Sequence, residues 1–218
     1  MNKQRFILGG GGHAKVLIEL LYQCGERIDG VIEPAREIGE ELFGSVVLGA
    51  DSVIDEYDPD TVELINGVGQ LPGDDRRRKL FSLFVNKGFQ FRTLIHPSAV
   101  VSSDAVLGEG VQIMAGCVLQ SSVIVGENTI INTRSIVDHD CRVGRNSHIA
   151  PGVILCGGVN IGESVYLGAG ATVIQNISIA SNSIVGAGTL VVNSFNSELK
   201  ITQPRKNKVV RLSSKEIT

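Results

Sequence analysis

The stretch Val143-Gly144-Arg145-Asn146-Ser147-His148-Ile149-Ala150-Pro151-Gly152-Val153-Ile154-Leu155-Cys156-Gly157-Gly158-Val159-Asn160-Ile161 carries an aliphatic residue at every sixth position. The same step runs backward through Val137, Ile131, Val125, Leu119, Ile113, Leu107 and Val101 to Ile95. It runs forward through Leu167, Val173, Ile179 and Val185 to Val191, giving seventeen positions in one register without a slip. Four places beyond each stands a second residue, among them Val111, Cys117, Val123, Thr129, Ser135, Cys141, Ser147 and Val153. This second set is small or aliphatic until Phe195 closes it. Such a pattern predicts a β-solenoid, each hexad supplying one short strand and one turn. The aliphatic residue points inward and the small residue fills a second inward place near the corner. Glycine often follows the aliphatic residue, as at Gly108, Gly126, Gly144, Gly162, Gly168 and Gly186, where it is expected to permit the turn backbone. A hexad cannot bury its apolar side alone, so coils must stack. With the register unbroken, no long loop is expected to leave the solenoid.

Composition agrees with many tight turns and small stacked side chains: 26 glycines and no tryptophan among 218 residues. A formal net charge of −3 gives no basic face for nucleic acid. No apolar run is long enough to span a bilayer, and Lys3 and Arg5 lead directly into a strand-like segment rather than a secretion signal. Cys24, Cys117, Cys141 and Cys156 lack a CxxC spacing and read as small core residues in a reduced, cytoplasmic setting.

Ahead of the repeats, Arg5 to Leu8 read as a strand, followed by Gly9-Gly10-Gly11-Gly12-His13-Ala14-Lys15 and then by Val16, Leu17, Leu20 and Leu21 at helical spacing. Strand, glycine loop and helix together present backbone N–H groups to an anion. Further strands are expected at 28–33, 46–48, 61–66 and 90–94, and helices at 52–57 and 75–86. The alternation argues for a small parallel sheet. The fold class is therefore an α/β, Rossmann-like domain over residues 1–94, then an all-β parallel β-helix over 95–218, its tail from Ser197, with Gln203-Pro204-Arg205-Lys206, capping the last coil. Gly9-x-Gly11-x-x-Ala14 nearly fits a dinucleotide fingerprint, with Glu33 where a ribose-binding acid is expected. A simple tight turn and an NAD site are the alternatives. The domain is the size of one mononucleotide-binding half, which favours a nucleoside diphosphate over NAD. Gly10, Gly11, Gly12, His13, Lys15 and Glu33 are the candidate substrate-binding residues. His13 and Lys15 could reach a phosphate or a sugar amine, or could serve as helix cap and surface charge. Arg76, Arg77, Arg78 and Lys79 read as a solvated helix face from which one arginine could reach phosphate.

Gly9-Gly10-Gly11-Gly12-His13-Ala14-Lys15-Val16, an arginine-bearing helix, and Leu94-Ile95-His96-Pro97-Ser98-Ala99 ahead of hexapeptide repeats resemble the sialic acid O-acetyltransferase/bacillosamine N-acetyltransferase family over almost the whole chain. The resemblance implies a left-handed β-helix with three hexads per coil, so residues eighteen apart stack at roughly 4.8 Å. It implies acetyl-CoA as cosubstrate with no metal, a nucleotide-linked amino sugar held by the first domain, and a homotrimer with active sites at subunit interfaces. One departure is that family members often carry two acids after the second strand, whereas here Glu33 is followed by Pro34.

Acyl transfer from a thioester needs a base, an oxyanion donor and two aligned substrates. Val137-Asp138-His139-Asp140-Cys141 offers the base: His139 is outward in its hexad, between two acids able to fix its tautomer. The resemblance assigns the base to His139 and the orienting acid to Asp140, with Asp138 as fallback; a solvated charged turn is the bland alternative. Gly157 stands eighteen residues after His139, and the resemblance gives its N–H to the thioester carbonyl oxygen. Turn geometry alone would also account for Gly157-Gly158. The resemblance further places His148 at the acetyl-CoA end and Ala169 and Ala187, eighteen apart on a different face, along the pantetheine arm; a corner histidine and turn alanines are the alternatives. The rival functions are acetylation of a sugar hydroxyl, a zinc hydratase, and a non-catalytic solenoid.

Overall fold

The computed structural model describes residues 3–201. The chain begins with β1 (Gln4–Leu8), the glycine loop and α1 (Gly12–Gln23), then β2 (Gly30–Ile32), β3 (Glu41–Leu42), β4 (Ser45–Gly49), β5 (Val62–Asn66), α2 (Arg76–Asn86) and β6 (Gln90–Phe91). These strands form one sheet in the order β3-β4-β2-β1-β5-β6. All its pairings are parallel except the short β3–β4 hairpin, which the sequence reading did not include. Ala14, Leu17, Leu20 and Leu21 form the buried stripe of α1, as their spacing predicts. Because β2 and β5 flank β1 on opposite sides, the glycine loop leaves β1 at the switch point of the sheet, where ligands of open α/β sheets bind. The helix expected at 52–57 is a 3₁₀ segment, Asp51–Glu56. The strand expected at 90–94 divides: Gln90–Phe91 completes the first sheet, whereas Leu94–Ile95 opens the solenoid.

From Leu94 the chain winds through two-residue strands on three faces, each strand pairing in parallel with the one eighteen residues on. The first face runs from Leu94–Ile95 to Lys200–Ile201, the second from Val100–Val101 to Leu190–Val191, and the third from Val106–Leu107 to Ser178–Ile179. The inward column from Ile113 to Val191 is buried throughout, each Val, Leu or Ile contributing about 1.5–3 kcal/mol. Ile95 departs from expectation. It is 41% exposed because it sits in the first coil, which has no coil beneath it.

Most inward hydroxyls and thiols of the second column are paired, the buried Thr189 hydroxyl being an exception. Thr129, Ser135 and Ser147 donate to the carbonyls of Gly144, Ala150 and Gly162, and the thiols of Cys117 and Cys141 to those of Asn132 and Cys156. The two thiols are core residues, and burial pushes both of them up, Cys141 to about 11. The glycines after the aliphatic residues have a different cause from the one expected. Positive φ falls two places later, at Gly110, Asn128, Asn146 and Ser164, for example. A Cβ on Gly108 would instead lie 2.6 Å from the Glu127 nitrogen, and one on Gly126 2.5 Å from that of Arg145. These glycines let successive coils approach. The eighteen-residue register ends at the last coil, where Ile184 pairs with Lys200, sixteen residues on. The tail segment 203–206 and its capping role lie outside the described residues.

The first domain packs on the first face through a buried polar network. Arg77, read as part of a solvated helix face, is 2% exposed. Its guanidinium donates to the carbonyls of Asn66 (2.9 Å), Val68 (2.8 Å) and Asn128 (3.2 Å). It is buried where the end of β5 meets the Asn128 turn of the solenoid. Burial lowers its pKa to about 9.

Candidate active site

Two regions carry the chemistry. The first is the corner that follows the second face. Val137 ends its strand pointing inward, and the turn 138–140 projects outward before Cys141 returns to the core. Asp138 accepts the backbone N–H of His139 (2.8 Å), while the Asp140 carboxylate accepts from His139 Nδ1 (2.8 Å). Asp140 reaches that nitrogen from a left-handed backbone, φ +60°. With Nδ1 donating, Nε2 keeps its lone pair. The Asp140 hydrogen bond, then the charge of Asp138, raise the imidazole above its ordinary pKa of 6.5. One full coil later the chain lies directly over this ring. Gly158 N–H donates to the His139 carbonyl (2.9 Å), and a Cβ on Gly157 would stand 2.6 Å from both Cε1 and Nε2 of His139. The Gly157 N–H has no hydrogen-bond partner among the described residues. An exposed imidazole and an amide donor with no partner among the described residues therefore lie one coil apart at the same corner.

The second region is the cleft between the first domain and the solenoid. It is lined by Gly9–Gly12, His13 and Glu33, by Gly67–Leu71, and from the solenoid by Met114, Asn132, Thr133 and His148. Nothing lies within 4 Å of a Cβ built on Gly11 or Gly12, so the start of α1 is open. Its N-cap, Gly11, supplies no side chain, which leaves the first helical N–H groups for a ligand. Glu33 accepts from Gly10 N–H (2.6 Å) and Ala35 N–H (3.1 Å), so it holds the loop as well as lining the cleft. Lys15 is exposed and does not line the cleft.

Two histidines, the half-buried His13 and the buried His148, form part of the wall. Gln112 spends its amide N–H on the Asn66 carbonyl, so its oxygen accepts from His13 Nε2 (2.7 Å). His148 Nδ1 donates to the Gln70 carbonyl (3.1 Å), leaving Nε2 to accept from the Asn132 amide (3.2 Å). Burial first, helped by the charge of Arg77, lowers each to about 4, so both are neutral. His148 thus sits in the strand His148–Ile149 against Tyr166 and the first domain, not on the corner with Gly157. Ala169 and Ala187 are exposed on the corner between the first and second faces, the same corner as Thr133. The structure therefore joins His139, Asp140 and Gly157 in one place and Gly10, Gly11, Gly12, His13, Glu33 and His148 in another.

Sequence reasoning missed Gly67–Gln70, Met114, Asn132 and Thr133. Gly67-x-Gly69 directly after a strand was a usable signal, since a Cβ at Gly67 would meet the Leu8 carbonyl at 2.7 Å. Among the described residues no group of three or more His, Cys, Asp or Glu is arranged to hold a metal ion, and no helix is long and apolar enough to cross a membrane.

Residues 122–157 match the family described as bacterial transferase hexapeptide (six repeats). UDP-N-acetylbacillosamine N-acetyltransferase of Bacillus subtilis (strain 168) is 37% identical over 117 residues, a match spanning half of this chain and half the length of that curated relative. A mutant of perosamine N-acetyltransferase from Caulobacter crescentus, with CoA and GDP-perosamine bound, is 39% identical over 90% of each chain, with a TM-score of 0.79. The acetyltransferase domain of PglB from Neisseria gonorrhoeae FA1090, in complex with acetyl coenzyme A, is 30% identical, covering 92% of this chain and 94% of that one at a TM-score of 0.80.

Proposed function

This chain belongs to the hexapeptide-repeat sugar N-acetyltransferase family, and on that premise we propose that it moves the acetyl group of acetyl-CoA to the amine of a nucleotide-linked amino sugar. The acceptor is a 4-amino-4,6-dideoxy sugar destined for a surface glycan, and the protein works in the cytoplasm. The observation that carries this reading is the His139–Asp140 pair lying under the unpaired Gly157 amide.

In the proposed reaction the sugar amine attacks the thioester carbonyl while His139 Nε2 takes its proton. Asp140 keeps the other ring nitrogen protonated and steadies the imidazolium that forms. The Gly157 N–H stabilises the oxyanion, a donor worth about 3–4 kcal/mol in comparable sites. CoA thiolate then leaves, with no acyl-enzyme. Gly11, Gly12 and the start of α1 hold the diphosphate, and Ala169 and Ala187 line the pantetheine arm. His148, 7% exposed, has little surface left for acetyl-CoA and acts mainly by shaping the cleft wall.

The cleft of one chain does not include His139. The second face, which ends in the His139 corner, is apolar and open outward at Val100, Ile136, Ile154 and Leu190. Both features support a homotrimer in which one copy's second face meets a neighbour and brings the two regions together. The test is to incubate purified protein with acetyl-CoA and a panel of nucleotide-linked 4-amino sugars, 3-amino sugars and free sialic acid. Thiol release and the acetyl mass gain are then followed. Release with an amino-sugar nucleotide is expected; release only with sialic acid would move the reading to O-acetylation.

A further inference from the structure

Beside the cleft lies a side chamber that shares Gly9, Glu33, Val68 and Arg76 with it and continues past Glu33 toward the end of β4. Pro34, Leu80 and the 43% exposed Leu83 give it apolar walls, with Arg76 and Lys79 at its edge. The acid at the end of the second strand of a nucleotide-binding sheet faces the ribose, so the base lies further out, beside the next strand. Here the next strand in the sheet is β4, and the residue that follows it at the chamber is Asp51.

Asp51 differs from Glu33 in one respect that matters. Both oxygens of Glu33 already accept backbone N–H groups, whereas the Asp51 carboxylate has no hydrogen-bond donor among the described residues. Partial burial, then the charge of Glu33, push its pKa upward, as expected of a carboxylate short of donors.

An ionised carboxylate only accepts hydrogen bonds, through two parallel oxygens. Among nucleobases, guanine alone presents two adjacent donors on one edge, N1–H and the 2-amino group. Uracil and thymine offer one N–H between two carbonyl oxygens, which would face the carboxylate. Adenine offers its amino group beside a bare ring nitrogen. We propose that this chamber is the nucleobase subsite and that Asp51 selects guanine, so the natural acceptor is a GDP-linked sugar. The inference rests on the nucleotide-sugar reading above and narrows it.

The test is calorimetric binding of GDP, ADP, UDP and dTDP to the full-length protein and to Asp51→Asn. GDP is expected to bind roughly tenfold to a hundredfold more tightly than the other three, the discrimination of one good bidentate base contact. Asp51→Asn is expected to lose that advantage while its UDP affinity stays the same. UDP or dTDP binding as tightly as GDP to the unaltered protein overturns the guanine assignment and leaves the nucleotide-sugar reading standing, whether or not the variant folds. Equal weakening of all four ligands by Asp51→Asn also overturns it. Binding of none of the four overturns both.

Discussion

The His139 imidazole lies so close beneath Gly157 that a methyl group there would be 2.6 Å from Cε1 and Nε2 of the ring. Real side chains do not sit at that distance, so Gly157→Ala must displace the imidazole. The ring is exposed, and its movement costs the fold little. Displacing a reacting group by about 1 Å can cost roughly a hundredfold in rate. Gly157→Ala is therefore expected to lower kcat by about a hundredfold with an unchanged melting temperature, measured by thiol release and by thermal denaturation.

Asp140 sets the pH at which that ring is usable. A general base must be neutral, and Asp140 and Asp138 raise its pKa above 6.5. Activity should consequently fall as pH is lowered through that raised value. In Asp140→Asn the chief cause of the rise is gone, so the acidic limb of kcat/KM moves to lower pH. Its plateau is also lower, because the tautomer is no longer held. A pH–rate profile of both proteins checks the direction.

Arg77 ties the β5 end to the solenoid through three carbonyls and pairs with no carboxylate among the described residues. Arg77→Ala leaves the Val68 and Asn128 carbonyls without their donor, while the Asn66 carbonyl keeps Gln112, and it opens a cavity, though it also removes a buried charge. Each stranded buried acceptor costs about 1–3 kcal/mol. A net loss of about 2–4 kcal/mol is expected in urea unfolding. KM for the sugar nucleotide should rise more than KM for acetyl-CoA, since Val68 lines the cleft.

His13 and His148 make stability depend on pH. Both are held near 4 in the fold against 6.5 when unfolded, so below 6.5 the unfolded chain binds protons that the folded chain refuses. Their contribution is complete above 6.5 and is lost as pH falls toward 4, at a slope approaching about 1.4 kcal/mol per pH unit for each. His148→Gln should flatten that slope by about half in melting curves taken between pH 7 and 4.5.

The solenoid was legible because its cause is local and repeated: one inward aliphatic residue per hexad, each meeting its copy one coil away. The same ruler brought Gly157 over His139 before any coordinates. Arg77 was not legible, since a basic run on a helix looks solvated until a second domain covers it. The burial of His148 was only half legible for a similar reason. Its neighbour Tyr166, eighteen residues on, follows from the same ruler, but Gln70 comes from the first domain and no spacing announces it. The glycines after the aliphatic residues were located correctly but explained by φ, when the approach of the next coil is what excludes a side chain.

The most direct measurement is single-turnover acetyl transfer by His139→Asn across pH, with an accepted amino-sugar nucleotide and acetyl-CoA both saturating. A fall of about a hundredfold to ten-thousandfold in rate, with ligand affinities kept and the acidic limb abolished, is what proton abstraction by this imidazole requires. A rate within a few fold of the unaltered protein, still falling at low pH, would mean that the proton goes elsewhere.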